Sequence, residues 1–204
     1  MAAVVVAIVV LAGGCGWLFE PDQDTALIGD SITDQARSAF RAELGDDHDL
    51  DIRAVGGLRT DQLVGPTAEA AARHPDAAVV NLGTNDVFQD HPLDASMASM
   101  DELLGLLDGV PCSFVVTVNE SMASGAGDDV AGRAAAFNDG LRQVAVAHGV
   151  EVIDWAAFVE AYLAAGQPEG DLTFDTIHPT EVGQRLLIQL YDDALAGCDP
   201  DVGG

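Results

Sequence analysis

Four short stretches of this chain carry side chains able to do chemistry: Gly29-Asp30-Ser31-Ile32-Thr33, Val55-Gly56-Gly57-Leu58-Arg59-Thr60, Gly83-Thr84-Asn85-Asp86 and Asp175-Thr176-Ile177-His178-Pro179. A neutral serine hydroxyl is a poor nucleophile and needs a base beside it. Imidazole suits that task because it titrates near neutrality. A carboxylate three residues before the histidine can reach one ring nitrogen across a turn and aim the other outward. There it would hold the tautomer and stabilise the imidazolium as it forms. Attack on an acyl carbonyl creates an oxyanion, which needs donors arranged in advance. Gly56 and Gly57 let backbone N–H groups approach a ligand closely, and Asn85 adds a side-chain amide. Together these stretches hold every part of a serine acyl-transfer site.

Each residue also has a plainer use. Ser31 can cap a helix, Asn85 can serve a turn, and Asp30 reads as loop support. Asp175 with His178 can be a surface turn or half of a metal site. No second His/Asp/Glu group has ligand spacing and no His-Glu-x-x-His occurs, so no metal is expected. Gly-x-Gly-x-x-Gly is missing too, which argues against a dinucleotide, and the reading carries no cofactor. His48, His74, His91 and His148 fall at loops or helix ends and are expected to be solvated. Asn119-Glu120-Ser121 is formally a glycosylation sequon, read here as a feature of the site's rim.

The elements that must position these residues alternate between strand and helix. Short apolar strands are expected at residues 25–28, 50–55, 77–82, 113–118 and 150–153. Helices are expected at 33–44, 60–73, 93–107, from about 129 to 148, at 156–165 and at 180–196, with loops at 46–49 and 120–128. That alternation implies parallel strands joined by right-handed crossovers. The expected fold is a flavodoxin-like three-layer α/β/α sandwich with a five-stranded parallel sheet in order 2-1-3-4-5, whose ligands bind at the carboxyl ends of the strands. The four chemical stretches fall at such exits or beside them.

In that order and placement the stretches resemble the signature blocks of the SGNH (GDSL-type) hydrolase family, over about residues 25–196. The resemblance implies Ser31 as nucleophile, His178 as general base and then acid, and Asp175 as the orienting carboxylate. It also implies an oxyanion hole from the Ser31 and Gly57 N–H groups with the Asn85 side chain. The resemblance favours Gly57 over Gly56, since the family's glycine usually lies three residues before a Ser or Thr, here Thr60. Specificity would then rest in the loops at 59–64, 87–92, 120–128 and 167–174.

Composition bounds the rest. The 204 residues, 49% hydrophobic, suit one domain with a sizeable core. Eight basic residues, all Arg, stand against 34 acidic ones, for a formal charge of -26. Such a surface repels phosphate backbones and argues against a nucleic-acid partner. The apolar run Val4–Leu11 reads as a signal-peptide core, too short by itself to span a bilayer. Leu11-Ala12-Gly13-Gly14-Cys15 resembles a lipoprotein signal box, so lipidation at Cys15, simple cleavage and an uncleaved anchor all stay open, with a membrane tether through the amino terminus in two of them. The expected organisation is a signal or anchor at 1–15, a linker at 16–24, the domain at 25–198 and a tail at 199–204. Cys112 and Cys198 would then be an even pair, compatible with a disulfide or with two buried thiols.

The resulting expectation is an exported, monomeric serine esterase, cell-surface anchored or secreted. It would act on a small-molecule or glycan ester through an acyl-enzyme. An acyltransferase of the same fold, or an envelope binding module without turnover, are the alternatives.

Overall fold

The computed structural model describes residues 23–125 and 127–198. The expected signal segment with Cys15, most of the linker and the tail at 199–204 lie outside the described residues. In chain order the elements are β1 Gln23–Gly29, α1 Ser31–Gln35, α2 Arg37–Glu43, β2 His48–Ala54, a 3-10 turn Thr60–Gln62 and α3 Val64–Ala71. There follow β3 Ala77–Asn81, α4 Thr84–Phe88, α5 Leu93–Gly105, β4 Cys112–Val116, α6 Val130–His148 and β5 Glu151–Ile153. The last three are α7 Trp155–Ala164, α8 Glu169–Leu172 and α9 Glu181–Ala196.

The five strands form one parallel sheet in the order β2-β1-β3-β4-β5. A strand covered on both faces must be apolar at successive residues, and β3 (Ala77, Ala78, Val79, Val80) is buried throughout. Alternation then divides the core. Ala26, Ile28, Ala78, Val80 and Val115 pack under α3, α5 and α6, against Met100, Leu103, Phe137 and Leu141. Leu27, Val79, Phe114 and Val116 face the opposite layer, where Phe40, Trp155, Leu187 and Tyr191 close the core. The result is the expected three-layer sandwich.

Several boundaries differ from the sequence reading, each for a physical reason. Gln23 and Asp24, read as linker, pair with His48 and Asp49 in the sheet. His48 therefore starts a strand instead of sitting in a solvated loop; it is 8% exposed and its Nδ1 lies 3.1 Å from the Thr25 hydroxyl. The expected helix at 33–44 breaks at Ala36 (φ -89°, ψ 3°). Beyond that break the Arg37 guanidinium donates to the carbonyls of Ile52 and Ala54 and pairs with Asp34, pinning α2 to the end of β2. Two short helices, α4 and α8, form where no apolar period marks them. Nor is His148 free in solvent: its ring lies 3.0 Å from both Asp101 and Asp108. Cys112 and Cys198 are joined as a disulfide with Cα atoms 6.0 Å apart, at the sheet end where β4 begins.

Candidate active site

Because the strands are parallel, their carboxyl ends meet on one edge, and the chemical residues gather there. Ser31 is the first residue of α1, one residue (Asp30) beyond the end of β1. Asp30 caps that helix: its Oδ1 accepts the Ile32 N–H at 3.0 Å. The Ser31 hydroxyl lies 2.9 Å from Nε2 of His178, 147 residues away in sequence. His178 Nδ1 lies 2.7 Å from Asp175 Oδ2. An ionised carboxylate can only accept, so Nδ1 carries the proton and Nε2 is left as the acceptor for the serine hydroxyl.

The Asp175–His178 turn is over-determined. An antiparallel bridge between Thr173 and Pro179 closes it, with Phe174 N–H donating to the His178 carbonyl at 3.1 Å. Asp175 Oδ1 accepts the Ile177 and His178 N–H groups at 3.0 and 2.7 Å. Partial burial pushes the Asp175 carboxyl up, but those N–H groups and the imidazole outweigh it and hold the group below the usual carboxylate range. Thr176 sits at φ 69°, uncommon for a residue with a branched side chain. It is held by the loop after β4: Asn119 Nδ2 donates to its carbonyl at 3.1 Å, and its hydroxyl bonds Ala123 N at 3.0 Å. Asn119, read from the sequence as a rim residue, is 3% exposed and spends its amide on this strap.

The expected oxyanion donors lie around Ser31. A Cβ at Gly56 would stand 3.6 Å from the Ser31 Cβ, so this backbone runs against the serine. Gly57 follows at φ 82°, facing open space. Neither the Ser31 nor the Gly57 N–H finds an acceptor among the described residues. The Gly57 carbonyl accepts from Gln89 Nε2 at 2.9 Å, and Arg59 donates to the same glutamine's oxygen at 2.9 Å. Asp86 joins the second and third stretches: it accepts from the Thr60 N–H and hydroxyl, each at 3.0 Å, and from Ser96 at 2.8 Å. Asn85 Nδ2 donates to Asp30 Oδ2 at 3.3 Å, which brings its amide beside the serine turn. Gly83 makes this approach possible; it is at φ 113°, where a Cβ would strike the Phe137 ring.

Asp30 was read from the sequence as loop support, and Gln89 and Phe174 only as members of loops expected to set specificity. The contacts that these residues, Asp86 and Thr176 make were not legible, because they join stretches far apart in the chain or depend on how the turn folds. Phe174 stacks on the His178 ring (centroids 5.6 Å, planes 15° apart) while remaining 65% exposed. Burial pushes the Asp30 carboxyl up to about 7, opposed by the Ile32 N–H and the His178 charge and reinforced by Asp86. A cleft of about 240 Å³ lies to one side, lined by Val87, Pro92, Leu93, Arg133 and Phe137, and does not include Ser31 or His178. Among the described residues no cluster of three His, Cys, Asp or Glu could hold a metal ion.

Crystal structures that share the fold include the following three. An acetyl xylan esterase, AlAXEase, has TM-score 0.73 at 20% identity, covering 84% of this chain and 99% of its own. Axe2, an acetylxylan esterase from Geobacillus stearothermophilus, has 0.70 at 17%, covering 87% and 95%. A GDSL-like lipase from Bacteroides thetaiotaomicron has 0.70 at 18%, covering 86% and 89%. No curated protein matches the sequence. The profile of the GDSL-like Lipase/Acylhydrolase family matches residues 27–186, a span that includes all four chemical stretches. The chain thus belongs to that family of ester-hydrolysing serine hydrolases.

Proposed function

We propose that the protein cleaves carboxylic esters through an acyl-enzyme on Ser31. As the Ser31 oxygen attacks the carbonyl carbon, its proton passes to His178 Nε2. The bond to the alcohol then breaks while Nε2–H protonates the leaving oxygen. Water repeats the attack, giving its proton to Nε2, and the Ser31–acyl bond breaks as that proton returns to the serine oxygen. Asp175 stabilises the transient imidazolium. The Ser31 and Gly57 N–H groups with the Asn85 amide stabilise the oxyanion. The observation that carries this reading is the unbroken line Ser31–His178–Asp175 at 2.9 and 2.7 Å.

The substrate we assign is an acetyl or short acyl ester on a glycan outside the cell. Support comes from the two acetylxylan esterases that share the fold. Export is supported by the apolar run at 4–11 and by the Cys112–Cys198 pair, since disulfides persist in oxidising compartments. β1 runs from the amino terminus toward Ser31, so a tether at that terminus would leave the site facing away from the membrane.

Ser31→Ala is expected to remove turnover of p-nitrophenyl acetate and labelling by a fluorophosphonate, at an unchanged melting temperature. Equal turnover by variant and parent would reject the nucleophile. With the parent enzyme, release of acetate from acetylated glycan but not fatty acid from phospholipid vesicles is the expected pattern; the reverse rejects the substrate class.

A further inference from the structure

Asp30 is 0% exposed and joins two elements of the site. A helix cap needs one carboxylate oxygen and is ordinarily wet, and Asp is almost never fully buried without a partner. No arginine pairs with Asp30 among the described residues. Its second oxygen is instead used on Asn85, 55 residues away, at the start of α4. The titratable groups that act on it electrostatically are His178, Asp86 and the buried Tyr191.

The chemistry of the two side chains gives this contact a direction. A primary amide has a donating NH2 edge and an accepting carbonyl edge, which exchange on a half-turn. Above its raised value of about 7 the Asp30 carboxyl is ionised and accepts only, so there it holds Asn85 with the NH2 edge inward. One N–H of that nitrogen goes to Asp30 and the other is left for a ligand.

We propose that Asp30 is a positioning residue for the oxyanion donor: its buried carboxylate selects the orientation in which Asn85 presents an N–H, and not its carbonyl, to the developing oxyanion. The proposal rests on the acyl-transfer reading of Ser31 and deepens it. Asparagine at position 30 keeps a carbonyl oxygen for the Ile32 N–H but offers its own NH2 to Asn85. The Asn85 amide then turns its carbonyl toward it, which puts a lone pair where the oxyanion forms.

The test measures kcat and KM on p-nitrophenyl acetate for Asp30→Asn, Asn85→Ala and the double variant, with Ser31→Ala as the blank. Asp30→Asn is expected to lower kcat about 10²–10³-fold, the loss expected for one oxyanion donor, with KM little changed and no drop in melting temperature. The double variant is expected to be no slower than Asn85→Ala alone, because Asp30 acts through that amide. Parent-like kcat in Asp30→Asn, or losses that multiply in the double variant, would overturn the proposal. If Asp30→Asn does not fold, Asp30→Ser keeps a capping oxygen but cannot hold Asn85, and full activity there also overturns it. Residual turnover in Ser31→Ala would sink the nucleophile reading itself, an outcome distinct from both.

Discussion

At the scale of single residues, the site shows which side-chain juxtapositions local spacing reveals. Ser31, Asp175 and His178 were legible because a turn of four residues presents carboxylate and imidazole together, and because Gly29-Asp30-Ser31 opens a helix. Phe174 was legible only as the last residue of a loop expected to set specificity, because its contact depends on where the histidine ring lies. In the proposed mechanism His178 protonates the departing oxygen, so the alcohol would pass beside that ring and against the exposed Phe174 face. A flat apolar surface there favours alcohols with a flat apolar face, such as a pyranose or an aryl group. Phe174→Ala is therefore expected to lower kcat/KM for aryl and glycosyl acetates about tenfold, the loss from about 1.4 kcal/mol of contact, while sparing ethyl acetate. Equal losses across all alcohols would mean that Phe174 supports the His178 ring and does not meet the substrate.

At the scale of elements, strand order and layer assignment followed from short apolar runs alternating with helices, since a parallel strand buried on both faces cannot hide its pattern. Helix breaks did not follow, because no Gly or Pro marks Ala36; the break there goes with long-range bonds from Arg37 to β2. His148 shows the same limit. It ends α6 and reads as a wet helix end, yet it bridges Asp101 of α5 and Asp108 just beyond. Its hydrogen bonds to Asp108 and then Asp101 raise its pKa above the ordinary histidine value. A raised folded pKa contributes stability that is complete below the unfolded value, about 6.5, and is lost as pH rises through the folded one. The parent is thus expected to melt a few degrees above His148→Gln at pH 5.5, with the gap closing by pH 9. The gap should be small because both aspartates are more than half exposed and the pair is screened by salt. A gap that is constant across that range would show a packing role instead of a charge role.

At the scale of the whole molecule, the parallel sheet separates chemistry from its mechanical support. Ser31, Gly57, Asn85 and the Asp175–His178 turn gather at or near the carboxyl edge, whereas Cys112 starts β4 and meets Cys198 beyond α9 at the opposite edge. The disulfide closes a loop of 86 residues, long enough that the chain-entropy argument gives up to about 4–5 kcal/mol, with about 2–4 usual in practice. The need for such a staple is physical: a formal charge of -26 repels itself most strongly in the compact state. For a domain of this size each 1 kcal/mol moves the melting temperature by about 2–4 °C. Cys112→Ser/Cys198→Ser is therefore expected to melt roughly 5–15 °C lower, with part of the loss restored by 0.5 M salt, which shortens the reach of the repulsion. Because the bridge lies at the far end of the strands from Ser31, kcat at 25 °C should stay within about twofold of the parent, since distant sites act independently. A variant that loses kcat in step with stability would show that the two edges of the sheet are coupled.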